Sequence, residues 1–181
     1  MDAASRIHQL RERAKHQPLV VLVWGPGDPG PDGEPQHTRY WQKRNQIRDL
    51  LAREFRQSEI LFSESDALRD YTRDLETLLT EELVHAAIAD CILVLDVSRG
   101  AHVEVDRISS YPLLAKKMRI LLPEKYARGS GPYSNVLQGL RVVPFTEEEF
   151  ERSSLASVKA IKLVESVALE KLMDSGGVPR F

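Results

Sequence analysis

The chain has 181 residues, one compact domain at roughly 100–200 residues per domain. Its 42% hydrophobic content excludes wholesale disorder, and a formal net charge of −2 supplies no general attraction to nucleic acid or anionic membrane. The single cysteine, Cys91, excludes an internal disulfide, and no Cys/His spacing suits zinc.

Residues 1–17 read as a short polar helical lead-in without a signal-peptide core, so a cytoplasmic protein is expected. Residues 18–175 form the α/β domain and 176–181 a loose tail. No apolar run approaches the ~20 residues of a membrane span. Leu19 to Trp24 is an unbroken apolar run, the pattern of a strand buried on both faces of a parallel sheet. Residues 25–37 carry four glycines and four prolines in thirteen positions, which suits a functional lid or flap.

From Thr38 to about Gln57 the spacing of Tyr40, Ile47, Leu50, Leu51 and Phe55 predicts a helix. Its basic residues Arg39, Lys43, Arg44 and Arg48 read as a solvated face. A second strand follows over 58–65, a polar connection over 66–73, and a helix over 74–89 with Leu75, Leu78, Leu79, Leu83 and Ile88 inward. Cys91 to Leu95 is a third strand. The next helix starts near Ala101 and is shortened by Pro112. Residues 118–123 and 140–145 are the fourth and fifth strands, separated by a loop over 124–139. Thr146 and Glu149 match a capping box opening a last helix that runs to about Met173.

Five strand–helix alternations predict a doubly wound, flavodoxin-like α/β fold: a five-stranded parallel sheet with helices on both faces. Ligands of such sheets lie beyond the carboxyl ends of the strands. That rule selects Trp24 and Gly25 after the first strand, Ser63 and Glu64 after the second, and Asp96 and Gly100 after the third, with His102 and Glu104 at the start of the helix that follows. Asp96 and Glu104 are expected to converge on one rim, with Gly100 allowing the tight turn between them. Two carboxylates at a pocket mouth suit chemistry at a sugar anomeric carbon. Placed in the first helical turn, Glu104 would be kept ionised by the helix N-terminus. Each residue also has a plainer role: Glu104 as a capping acid, Asp96 as a turn former, Trp24 as core and His102 as a packing histidine.

The stretch 83–126, with ADCILVLD, Gly100, AHVEVDRI and KKMRILLPEKY, resembles the nucleoside 2-deoxyribosyltransferase family. The resemblance implies Glu104 as the nucleophile that takes the sugar, Asp90 and Asp96 as acids that hold base and sugar, and Trp24–Gly25 as pocket lining. It implies transfer or hydrolysis at an N-glycosidic bond without cofactor or metal. The Val-Asp-Arg-Ile after Glu104 departs from the small residues the family places there. More distantly the pattern is similar to TIR-type domains and to nucleotide-degrading immune effectors that cleave NAD. A nucleotide-binding scaffold without catalysis is the third possibility. The expected partner is a small nucleoside or nucleotide. Leu155, Val158, Ile161, Leu163, Val164, Val167, Leu169 and Leu172 make more than one apolar stripe on the last helix. That excess suits either a homo-oligomer contact or a cover for the N-terminal helix.

Overall fold

The computed structural model describes residues 2–75, 77–127 and 139–176. Five parallel strands, β1 (Val20–Trp24), β2 (Glu59–Leu61), β3 (Cys91–Leu95), β4 (Met118–Pro123) and β5 (Arg141–Phe145), lie in the order β2-β1-β3-β4-β5. The order reverses between β1 and β3, which is the switch point of a doubly wound sheet. The continuous apolar runs follow from this arrangement. Val21, Val23, Leu93 and Leu95 point into one cluster, and Leu22, Trp24, Ile92 and Val94 into the other.

The first face is covered by α1 (Ala3–Lys15), α2 (Pro35–Glu54), a π-helical segment (Leu155–Ala160) and α9 (Ile161–Asp174). The second carries α3 (Asp66–Thr72), α4 (Leu78–Ile88) and α5 (Arg99–Ser109), followed by the short α6 (Pro112–Ala115). Two more short helices, α7 (Glu124–Ala127) and α8 (Glu147–Glu151), follow β4 and β5. The predicted 124–139 loop begins with α7, and its residues 128–138 lie outside the described residues, as does the tail beyond 176.

Several elements differ from the sequence expectation. The polar connection over 66–73 is helical, because Leu68 is buried in the second core and Thr72 bonds back to the Leu68 carbonyl. β2 keeps only three residues, since it is an edge strand paired with β1 alone. On α4 only part of the expected inward face is inward: Leu83 packs against the second core, but Leu78 is 75% exposed and Leu79 and Ile88 are exposed too, while His85 and Ala86 face the core. The capping box at Thr146 is present, but it opens only the five residues of α8. The backbone is extended at Arg152, whose carbonyl accepts from Lys43 Nζ at 3.2 Å, and the helical path resumes in the π-helical segment.

The lead-in helix is part of the packed body. Ala14 of α1 is buried in the first cluster, and Arg11 donates to both Glu165 carboxylate oxygens on α9, at 2.8 and 3.0 Å. A flank of α9 is thus met by α1 within the same chain.

Candidate functional site

β1 ends at Trp24, and the chain turns at Gly25 with φ +151°, a conformation that L side chains rarely adopt. A Cβ there would lie 3.2 Å from the Leu95 carbonyl oxygen and 3.4 Å from Arg44 Cδ. Glycine therefore lets the ends of β1 and β3 close while a long side chain crosses beside them. That side chain is Arg44 of α2, 1% exposed. Its guanidinium donates to the Val23 carbonyl at 2.7 and 3.0 Å, to the Pro26 carbonyl at 3.2 Å and to both carboxylate oxygens of Glu64. It lies over the Phe62 ring at 4.2 Å. Burial pushes the Glu64 carboxyl up, but the hydrogen bonds and charge of Arg44 outweigh it and hold that group below its ordinary value.

α5 opens at Arg99, where the Ser98 hydroxyl caps the Ala101 N–H at 3.3 Å. This start is earlier than the sequence suggested and puts Glu104 in the second turn, where the helix N-terminus no longer favours its charge. The electrostatics run opposite to expectation. Burial first, then the neighbouring Glu82 and Glu64 charges, push the Glu104 carboxyl from 4.5 up to about 7, against the pull of Arg44 and Arg107. Glu82, on α4, faces Arg107 at 3.8 Å. Between the end of β2 and the first turns of α4 a cleft of about 160 Å³ is lined by Ser63, Glu64, Glu81, Glu82 and His85, among others. The Ser63 hydroxyl donates to Glu64 at 3.1 Å.

Asp96 follows β3 and is 2% exposed. Its Oδ2 lies 3.2 Å from His102 Nδ1, and its buried Oδ1 has no hydrogen-bond partner. Burial pushes this carboxyl up, and His102 pulls it down. His102 and Glu104 are two positions apart on one helix, so they leave α5 on different flanks. Asp96 and Glu104 thus share the rim but have different partners: His102 for Asp96, and the Glu64–Glu82 group with its arginines for Glu104.

The other expected residues are placed as follows. Trp24 is 1% exposed in the second core cluster, its indole N–H without a partner, and does not line the cleft. Gly100 is helical and needs no glycine, because a Cβ would meet nothing within 4 Å. Asp90 stands at the amino end of β3, away from the rim. It accepts from Val20 N–H at 2.9 Å and from Lys171 Nζ at 2.9 Å, and so fastens α9 to the sheet.

Arg44, Glu82 and His85 were not expected in the site, whereas Glu64 stands with Ser63 after the second strand, where the carboxyl-end rule points. Arg44 had a usable signal, since Tyr40, Arg44, Ile47 and Leu51 share the stripe that faces the core. Glu82 and His85 were hidden by the assignment of leucines to the inward face of α4. Among the described residues, no group of three or more His, Cys, Asp or Glu is arranged to hold a metal ion. No described helix is long and apolar enough to cross a membrane. The chain is thus a doubly wound α/β protein with an acidic cluster at the carboxyl-end rim beside its switch point. Neither the protein-family models nor the curated proteins compared with the chain give a match.

Proposed function

We propose that the protein cleaves or transfers at the N-glycosidic bond of a nucleoside or nucleotide, with Glu104 attacking C1′. One observation carries the reading. Glu104 is half-buried beside the switch point, grouped with Glu64 and Glu82, and its carboxyl is pushed up to about 7. At neutral pH it is thus partly ionised, and as a carboxylate of raised basicity it is a stronger nucleophile than an exposed glutamate. In the step, a Glu104 oxygen bonds to C1′ as the C1′–N bond breaks, and the electron pair leaves with the base. Water or a second base then takes C1′ from the glutamyl ester and regenerates the carboxylate, its proton passing to the departed base or to solvent. The resemblance of residues 83–126 to the deoxyribosyltransferases supports the same assignment, and with it a cytoplasmic homo-oligomer.

The test is chromatographic release of free base from deoxynucleosides, ribonucleosides, nucleoside monophosphates and NAD, with and without a second base. Glu104→Gln is run beside the parent. Release that the substitution abolishes, in a protein that still folds, is the expected result. Release from NAD alone assigns the activity to dinucleotide degradation. No release from any substrate at high enzyme concentration removes the proposal.

A further inference from the structure

His85 is 3% exposed on α4, yet it lines the cleft. Its Nε2 lies 3.2 Å from the Thr72 hydroxyl, which in turn lies 3.1 Å from the Leu68 carbonyl oxygen. A hydroxyl has one proton and two lone pairs. If that proton were given to His85, the Thr72 and Leu68 oxygens would face each other at 3.1 Å with no hydrogen between them. Given to Leu68, it leaves a lone pair for an Nε2–H, and all three buried groups are satisfied. The ring tautomer that fits is then the one with its proton on Nε2, and its Nδ1, as an acceptor, has no partner among the described residues.

The rest of the cleft is also rich in acceptors. Glu64, Glu81 and Glu82 line it, and Ser63 has spent its hydroxyl proton on Glu64. Charge does not make it a cation site. Arg44 neutralises Glu64, Arg107 stands beside Glu82, and Arg69 is itself among the lining side chains. A balanced pocket with free lone pairs suits an uncharged ligand that brings its own donors. Its volume of about 160 Å³ is below the roughly 300 Å³ at which whole drug-sized molecules are held, so it accepts a fragment of the substrate. Glu64 and Glu82, which line this cleft, are also the charges that push the Glu104 carboxyl up; Glu104 does not itself line the cleft, and both lie at the carboxyl-end rim of the sheet.

We infer that this cleft is the sugar-hydroxyl subsite, and that His85, fixed by Thr72, accepts through Nδ1 from a sugar hydroxyl at C2′ or C3′. The inference rests on the proposed N-glycosidic reading and narrows its substrates to nucleosides or nucleotides that keep a sugar hydroxyl at C2′ or C3′. His85 is a binding and specificity residue; it does not itself act on the reacting bond.

The test records long-range ¹H–¹⁵N spectra of the histidine rings in the full chain above neutral pH. His85 is assigned by its absence in His85→Asn, and the probes are adenosine and 2′,3′-dideoxyadenosine. The expected spectrum is that of an Nε2–H ring whose Nδ1 resonance moves upfield with adenosine and stays put with the dideoxy compound. Adenosine should bind about tenfold more tightly, the worth of one good hydrogen bond to a buried partner. His85→Leu should remove that preference, and His85→Asn, which keeps an oxygen near the Nδ1 position, should restore part of it. An Nδ1–H ring, equal shifts with both probes, or no shift with adenosine overturns the inference. Because these readouts are binding and spectroscopy, they stand apart from turnover. A preference without base release would fail the proposed function alone, and Glu104-dependent release with an unchanged preference in His85→Leu would fail this inference alone.

Discussion

Arg44 and Glu64 form the hinge pin of the rim: a guanidinium from α2 grips a carboxylate beyond β2 and, with its remaining N–H groups, the carbonyls that end β1. Lysine has neither the planar fork nor the reach to satisfy all of these acceptors. Arg44→Lys is expected to cost about 3 kcal/mol or more, since removing one partner leaves a buried acceptor set unmatched. The check is the denaturant midpoint at constant slope. A loss under 1 kcal/mol would show that the carbonyls find water instead.

Glu104 is predicted to be a burden on the fold. Its folded-state value of about 7 lies above the ordinary 4.5, so the folded protein holds more protons between those values. Stability from this group is therefore intact below about pH 4.5 and is lost as pH rises through about 7. Glu104→Gln should stabilise the protein above pH 7 by up to about 3 kcal/mol and change little near pH 4.5. Unfolding curves at the two pH values decide it, and an equal effect at both would refute the assignment.

The same electrostatics predict a rate profile. If Glu104 attacks as a carboxylate, kcat/KM rises with pH through a limb near 7. Glu82 pushes the Glu104 carboxyl up, so Glu82→Gln should move that limb to lower pH. A limb that stays in place in this variant would mean that another group controls it.

The two rim glycines should respond differently to alanine. Gly25→Ala forces a side chain into φ +151° against Leu95 and Arg44, and should cost about 1–3 kcal/mol. Gly100→Ala fills open space in a helix and should stabilise by about 0.5–1 kcal/mol. Thermal melts of both variants measure the contrast.

Asp90→Asn weakens the tie from Lys171 and should lower stability by about 1–2 kcal/mol. Activity per folded molecule should be unchanged, because this residue stands at the far end of the sheet. A fall in kcat/KM at full folding would restore the role that the resemblance implied.

The strands were legible because burial on both faces requires unbroken apolar runs, as in Cys91–Leu95. β2 was overextended because an edge strand pairs on one side only and ends early. α3 was missed because Leu68 is its main hydrophobic anchor. The site was half legible. The carboxyl-end rule found Glu104, Asp96 and Ser63, and applied strictly it also excludes Asp90, which precedes its strand. Charge spacing alone could not show that Arg44 turns inward; its place on the apolar stripe with Tyr40, Ile47 and Leu51 was the signal. The shift on Glu104 depends on Glu64 and Glu82, which come from two separate elements, and local sequence does not reveal that meeting.

The clasp of Arg11 to Glu165 joins positions 154 apart in the chain. Helix α1 is therefore fastened by a helix that is made much later in the chain. Until α9 is made, Ala14 has no lid and Arg11 no carboxylate, and α1 waits as a polar segment too short to hold its own helix. Nascent chains arrested before Ile161 should accordingly be cut by protease within α1, and chains that include Asp174 should be protected there.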